Sequence, residues 1–146
     1  MIVIQNSINF KLESEKAFTD QLQSALDDLN KADGELLIRF VSSQEIQQLN
    51  KAYRHQDKTT NVLSFPSDLP IEIDESILGD VVICIEVVER EARQQNKQFS
   101  DHLMHMAIHG TLHLLGFDHN EENEALEMEA LEVKILATMN IVNPYV

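Results

Sequence analysis

Residues 78–85 run Leu78-Gly79-Asp80-Val81-Val82-Ile83-Cys84-Ile85, and the apolar stretch Val81–Ile85 inside them decides the fold class. A β-branched run with no polar face is read as an interior strand covered on both sides, which requires helices above and below a sheet. Upstream, Ile2–Gln5, Glu35–Val41 and Thr60–Phe65 read as three further strands, the last stopped by Pro66. Phe18, Leu22, Ala25, Leu26 and Leu29 recur at helical spacing through residues 14–30, and Asp33-Gly34 breaks that pattern. Ser42-Ser43-Gln44-Glu45 forms a capping box for a helix carrying Ile46, Leu49, Ala52 and Tyr53. Residues 66–78, with Pro66, Pro70 and four acids, read as an exposed loop. Downstream, three helices are predicted, over 86–97, over 100–115 from an N-cap at Ser100 to a terminating Gly116, and over 121–139. The result is an α+β (α/β-like) fold, a small mixed sheet of about four strands packed against about five helices. Cys84 and Met104, Met106, Met128 and Met139 fall on apolar or helical positions and are assigned to the core.

The chain of 146 residues is read as one domain, residues 1–146. With 43% hydrophobic and 25% charged residues it has a globular composition, which excludes a disordered or fibrous protein. A formal net charge of −14 disfavours non-specific adhesion to nucleic acid or anionic lipid, so a polyanionic substrate must be held locally. The single cysteine, Cys84, excludes both an internal disulfide and a four-cysteine zinc site, and fits a reducing compartment. The start of the chain has no basic region followed by an apolar stretch, and the run Val81–Ile85 falls far short of the roughly 20 residues that span a bilayer. A soluble, cytoplasmic protein with no membrane partner is expected.

Six histidines are present, and five lie between residues 102 and 119. His109 and His113 are four apart, hence about 40° apart in azimuth and about 6 Å apart along a helix, so both can grip one ion. On a continuing helix His119 would sit about 120° round from His113 and about 9 Å further on. The helix must therefore stop, and Gly116 supplies a residue able to take the left-handed conformation that folds His119 back. Three neutral imidazoles leave a divalent ion an open fourth position, the arrangement that lowers the pKa of bound water to about 7 and favours catalysis over stapling. Zinc is the first choice, although imidazole also suits nickel, copper, iron and cobalt. His105/His109 is a competing pair that leaves Gly116 unexplained; His102 and His105 are otherwise assigned to hydrogen bonding behind the ligands or to core polarity. The spacing of His109, His113, Gly116 and His119 gives a metzincin-like metal helix, but Gly110 stands where those proteases need a glutamate base.

The stretch from His109 through Gly110, Thr111, Leu112, His113 and Gly116 to His119 resembles the signature of the YbeY family of bacterial metal-dependent endoribonucleases. Tyr53 through Pro66 resembles that family's second motif and Leu78–Cys84 its third, so the likeness covers most of residues 50–135. The resemblance implies a zinc site on His109, His113 and His119 and a role for Arg54 and His109 in hydrolysing single-stranded RNA. It further implies maturation of the small-subunit ribosomal RNA 3′ end, ribosome quality control, and partners that include a basic small-subunit ribosomal protein and a ribosome-associated GTPase. Arg54 also makes physical sense alone, because a planar guanidinium stabilises charge developing on phosphodiester oxygens.

An acidic protein acting on RNA requires segregated charge. Glu121, Glu122, Glu124, Glu127, Glu129 and Glu132 lie in one helical stretch, read as a solvated face or a docking surface for a basic partner, and Asp68, Glu72, Asp74, Glu75 and Asp80 lie in or beside the loop. Lys51, Arg54 and Lys58 form one basic group and Arg90, Arg93 and Lys97 a second, which together would line a groove for a phosphate backbone if both border the metal. Asp118 and Asp57 are the acids nearest in sequence for a base, with no choice between them. Two rival functions are a metalloprotease, opposed by Gly110, and a non-catalytic assembly factor whose metal is closed off by a fourth side chain such as Asp118.

Overall fold

The computed structural model describes residues 1–67, 77–118 and 121–146. Its elements in chain order are β1 (Ile2–Asn6), α1 (Glu15–Asp28), β2 (Glu35–Val41), α2 (Ser43–Arg54), β3 (Val62–Pro66), β4 (Ile77–Cys84), α3 (Ile85–Gln94), α4 (Phe99–Leu114) and α5 (Glu122–Thr138). The strands form one mixed sheet in the order β1-β2-β4-β3, with β1/β2 and β2/β4 parallel and β3/β4 antiparallel. The predicted α+β class and the strand and helix numbers agree with this architecture.

Val81, Val82, Ile83 and Cys84 of β4 are all fully buried. Val81 and Ile83 face the larger core, built with α1, α4 and α5, whereas Val82 and Cys84 face a smaller one with Ile46 of α2 and Val87 of α3. Two cores on opposite faces of one strand explain why the run has no polar member. The strand also extends further back than the apolar run, to Ile77, so residues 77 and 78 leave the predicted loop; residues 68–76 lie outside the described residues. Gly79 makes that extension feasible, since it holds φ +135° and a Cβ there would fall 2.3 Å from the carbonyl oxygen of Phe65. Pro66 closes β3 on the edge of the sheet, where a missing N–H costs no ladder bond.

Helix ends follow local chemistry. Ser42 Oγ accepts from the Glu45 N–H at 3.2 Å, as the capping box requires, while the Glu45 carboxylate pairs with Arg39 of β2 at 2.5 Å. The N-cap of α4 is Gln98 and not Ser100. Phe99, packed edge-on to Phe10 at 5.5 Å and against the larger core, draws the helix start back by two residues. Gly116 ends α4 as expected: at φ +97° it lets the Phe117 N–H reach Leu112 O at 3.0 Å and its own N–H reach His113 O at 3.1 Å. Asparagines do the same for three other helices, Asn30, Asn96 and Asn140 all having positive φ. Helix α1 therefore ends at Asp28, and Asn30 reverses the chain ahead of Asp33-Gly34. Cys84, Met104, Met106 and Met128 are buried as predicted, and Met139 packs against the larger core. Among the described residues no helix is long and apolar enough to cross a membrane.

Candidate functional site

Helix α4 lies across β3 and β4, and Gly110 sets how closely. Ser64 Oγ donates to Gly110 O at 2.8 Å, and a Cβ on Gly110 would meet Val81 Cγ1 at 2.6 Å. The position that would carry a protease's glutamate base is thus turned into the sheet and filled, which gives the absence of that base a steric reason.

With Gly110 inward, the next positions of the helix present His109 and His113 to a common space. Their Nε2 atoms lie 3.2 Å apart, with ring planes 78° to each other. Two nitrogens bound at zinc distances in a tetrahedron stand about 3.3–3.4 Å apart, so the donor pair fits a shared ion. The other nitrogen of His109, Nδ1, lies 2.5 Å from Glu132 Oε1. Glu132 is fully buried and is also approached by His105 Nε2 at 3.3 Å and by the donating hydroxyl of Tyr145. Burial by itself would raise the Glu132 pKa, but the hydrogen bonds from His105, His109 and Tyr145 outweigh it and hold the carboxyl down to about 2. An ionised Glu132 favours the tautomer with the proton on Nδ1 of His109 and leaves the Nε2 lone pair facing His113. Burial, reinforced by Glu132, pushes the Tyr145 phenol up.

The glutamate corrects the charge reading. Glu121, Glu122, Glu124 and Glu127 are exposed and Glu129 is half-buried, but Glu132 belongs to the inward stripe of α5 with Met128, Ile135 and Leu136. Its place at i, i+4 from Met128 was the available signal, hidden by the acids around it. His105, His109 and Glu132 also place one ligand atom each within 4.8 Å of one another, so the competing His105/His109 pair exists in space, on the opposite edge of the His109 ring. His102 lies one turn further back, its Nε2 2.9 Å from Glu91, which in turn accepts from Asn61 at 3.2 Å. Burial lowers the His102 pKa against the pull of Glu91.

A cleft of about 490 Å³ opens over the imidazole pair and is lined by Arg54, Lys58, Asn61, His109, His113 and Asp118 among others. Arg54 reaches it because α2 ends there, the next residue, His55, reversing the chain at φ +59° toward β3. The predicted Arg54, His109 and His113 are thus brought together; His119 lies outside the described residues. Asp118 lines the cleft, while Asp57 accepts from Gln47 at 3.0 Å and faces Lys51 at 3.9 Å. A second hollow of about 340 Å³ shares Asn61 and His109 and adds Lys97, His102, His105 and Tyr145. Of the two basic groups, Arg54, Lys58 and Lys97 border these hollows; Arg90 and Arg93 are exposed on α3 and line neither.

Comparison with known proteins adds a family. A family model described as endoribonuclease YbeY matches residues 2–140. The chain is 57% identical over 145 residues to the endoribonuclease YbeY of Ruthia magnifica subsp. Calyptogena magnifica, covering 99% of this chain and 100% of that one. The corresponding protein of Colwellia psychrerythraea is 49% identical over 138 residues, covering 92% and 89%. Among solved structures, the solution structure of a Thermotoga maritima protein superposes with a TM-score of 0.62 at 27% identity, covering 96% of this chain and 92% of that one.

Proposed function

The chain belongs to the endoribonuclease YbeY family, a family of hydrolases acting on RNA, and from that premise we propose that it is a zinc-dependent endoribonuclease specific for single strands. The observation that supports this most is the pair of Nε2 atoms 3.2 Å apart, with Glu132 behind His109, in a cleft that also holds Arg54. His109, His113 and His119 would hold the ion, with Asp118 close by in the cleft. Such an ion, when bound, supplies Lewis-acid polarisation and lowers the pKa of water.

The chain's own residues do the rest. Glu132 keeps the proton of His109 on Nδ1, so that Nε2 stays a donor to the ion. Arg54, a planar donor at the cleft wall, binds the non-bridging oxygens of a phosphodiester and stabilises the charge that builds on them. Lys58 in the same cleft and Lys97 in the adjoining hollow offset the acidic surface locally. In this reading the single domain 1–146 matures the 3′ end of small-subunit ribosomal RNA in the cytoplasm and serves ribosome quality control. The exposed acids of α5 would receive a basic small-subunit ribosomal protein, and a ribosome-associated GTPase is a further partner.

Purified wild type and His109→Ala, assayed on single-stranded RNA with chelator and then with zinc restored, test this. Chelation should abolish cleavage by the wild type, zinc should restore it, and the variant should stay inactive. A folded variant that cuts at the wild-type rate overturns the hydrolase mechanism. One bound equivalent of zinc without chelator-reversible cleavage leaves the assembly-factor reading, in which Asp118 completes the coordination.

A further inference from the structure

We infer that Tyr145 is a positioning residue for the metal centre, acting through Glu132 on His109; the inference rests on His109 being a ligand as proposed above. The two oxygens of the Glu132 carboxylate are divided between partners. Oε1 takes the His109 Nδ1 at 2.5 Å, and Oε2 takes the Tyr145 hydroxyl together with His105 Nε2 at 3.3 Å. Glu132 is fully buried, so these groups set its rotamer. Without the phenol, which His105 Nε2 also approaches at 3.3 Å, Oε2 keeps among the described residues only its 3.3 Å contact to His105. The carboxylate is then free to turn about its last torsion, a soft two-fold rotor, and to share its oxygens differently between the two imidazoles. The Nδ1 bond that fixes the His109 ring would loosen, although nothing that touches the ion had changed.

The rest of the segment is arranged to deliver that hydroxyl. Asn140, at φ +61°, reverses the chain after α5, and the Ile141 N–H closes the turn on Leu136 O at 3.0 Å. Lys97 Nζ donates to Pro144 O at 3.1 Å, and the Tyr145 N–H donates to Asn143 Oδ1 at 2.8 Å. The Tyr145 ring then stands edge-on to His105 at 5.5 Å. Almost half of the residue remains exposed, at 46%. Hydrophobic cover therefore does not account for it, since the part that goes inward is the polar tip.

The test uses the full chain as wild type, Tyr145→Phe, Glu132→Gln, the double variant and His113→Ala. Zinc affinity is read by competition with a chromophoric chelator, and ligand geometry by the visible spectrum of the cobalt(II) form. Glu132→Gln should weaken zinc about 10- to 100-fold and Tyr145→Phe about 3- to 10-fold, with an altered cobalt spectrum. Because Tyr145 acts through Glu132, the double variant should bind no more weakly than Glu132→Gln alone. The inference is overturned if Tyr145→Phe binds zinc within twofold of wild type, even where its metal-free form melts earlier, or if its effect adds fully to that of Glu132→Gln. If His113→Ala binds zinc as tightly as wild type, the ligand assignment fails and takes this inference with it; if His113→Ala loses zinc while Tyr145→Phe does not, only the inference falls.

Discussion

Two rings of α4 each meet a carboxylate from another helix, His102 with Glu91 at 2.9 Å and His109 with Glu132 at 2.5 Å, and of these two only His109 borders the cleft that holds Arg54 and His113. His102 is 3% exposed, and its other ring nitrogen, Nδ1, is buried with no hydrogen-bond partner among the described residues. His109 turns its second nitrogen outward to His113, across a space lined by Arg54 and Asp118. A carboxylate behind an imidazole is therefore insufficient to turn the ring's far nitrogen toward that cleft. What distinguishes the pairs is where the opposite edge of the ring points, and that is set by two turns of α4 and by the close seat of Gly110 on the sheet.

The contrast is broken most directly by removing each ring. His109→Ala should lose RNA cleavage by at least about 10²-fold, whereas His102→Ala should keep cleavage within about 3-fold and lose about 1–3 kcal/mol of stability from the interior. Single-turnover rates beside denaturant melts read both; equal losses of cleavage would erase the distinction. The carboxylates sharpen it next. Glu132→Gln should shift zinc affinity by about 10-fold or more and Glu91→Gln by less than about 2-fold, checked by the same chelator competition.

The smallest effect is on acid stability of the metal-free protein. Burial holds His102 below its ordinary value of 6.5 in the fold, so the unfolded chain takes up this proton at a higher pH than the folded one. Its contribution is harmless above about pH 6.5 and destabilises the fold as pH drops beneath that value, by about 1.4 kcal/mol per pH unit at most. His102→Gln should flatten the melting-temperature profile between about pH 6.5 and 5. An unchanged slope would show that His102 is not excluded from protonation.

Much of this arrangement is legible in the chain. The run Val81–Ile85 marks β4 because burial on both faces removes every polar residue, and the spacing of His109, His113 and Gly116 marks the end of α4 because a helix and its left-handed stop are local events. Arg54 joins the cleft from a separate helix, and it is the motif around it, not any periodicity, that brings it forward. Glu132 and Tyr145 stayed hidden for different reasons. Glu132 shares its helix with Glu122, Glu124 and Glu127, which face solvent, and with half-buried Glu129, so charge counting averages it away. Tyr145 depends on a reversal at Asn140 that no spacing rule connects to α4. By residue type Ser100 is the better cap for α4, whereas the packing of Phe99 places the cap at Gln98.

The seat of Gly110 against Val81 and Ser64 has an evolutionary corollary. A glutamate installed there would run into Val81 Cγ1 at 2.6 Å, Ser64 Oγ at 3.1 Å and Val62 Cγ2 at 3.2 Å, so the helix or these side chains would have to shift before its carboxylate had room. Peptide hydrolysis of the metzincin kind would thus demand compensating changes in β3 and β4 alongside the exchange of Gly110 itself.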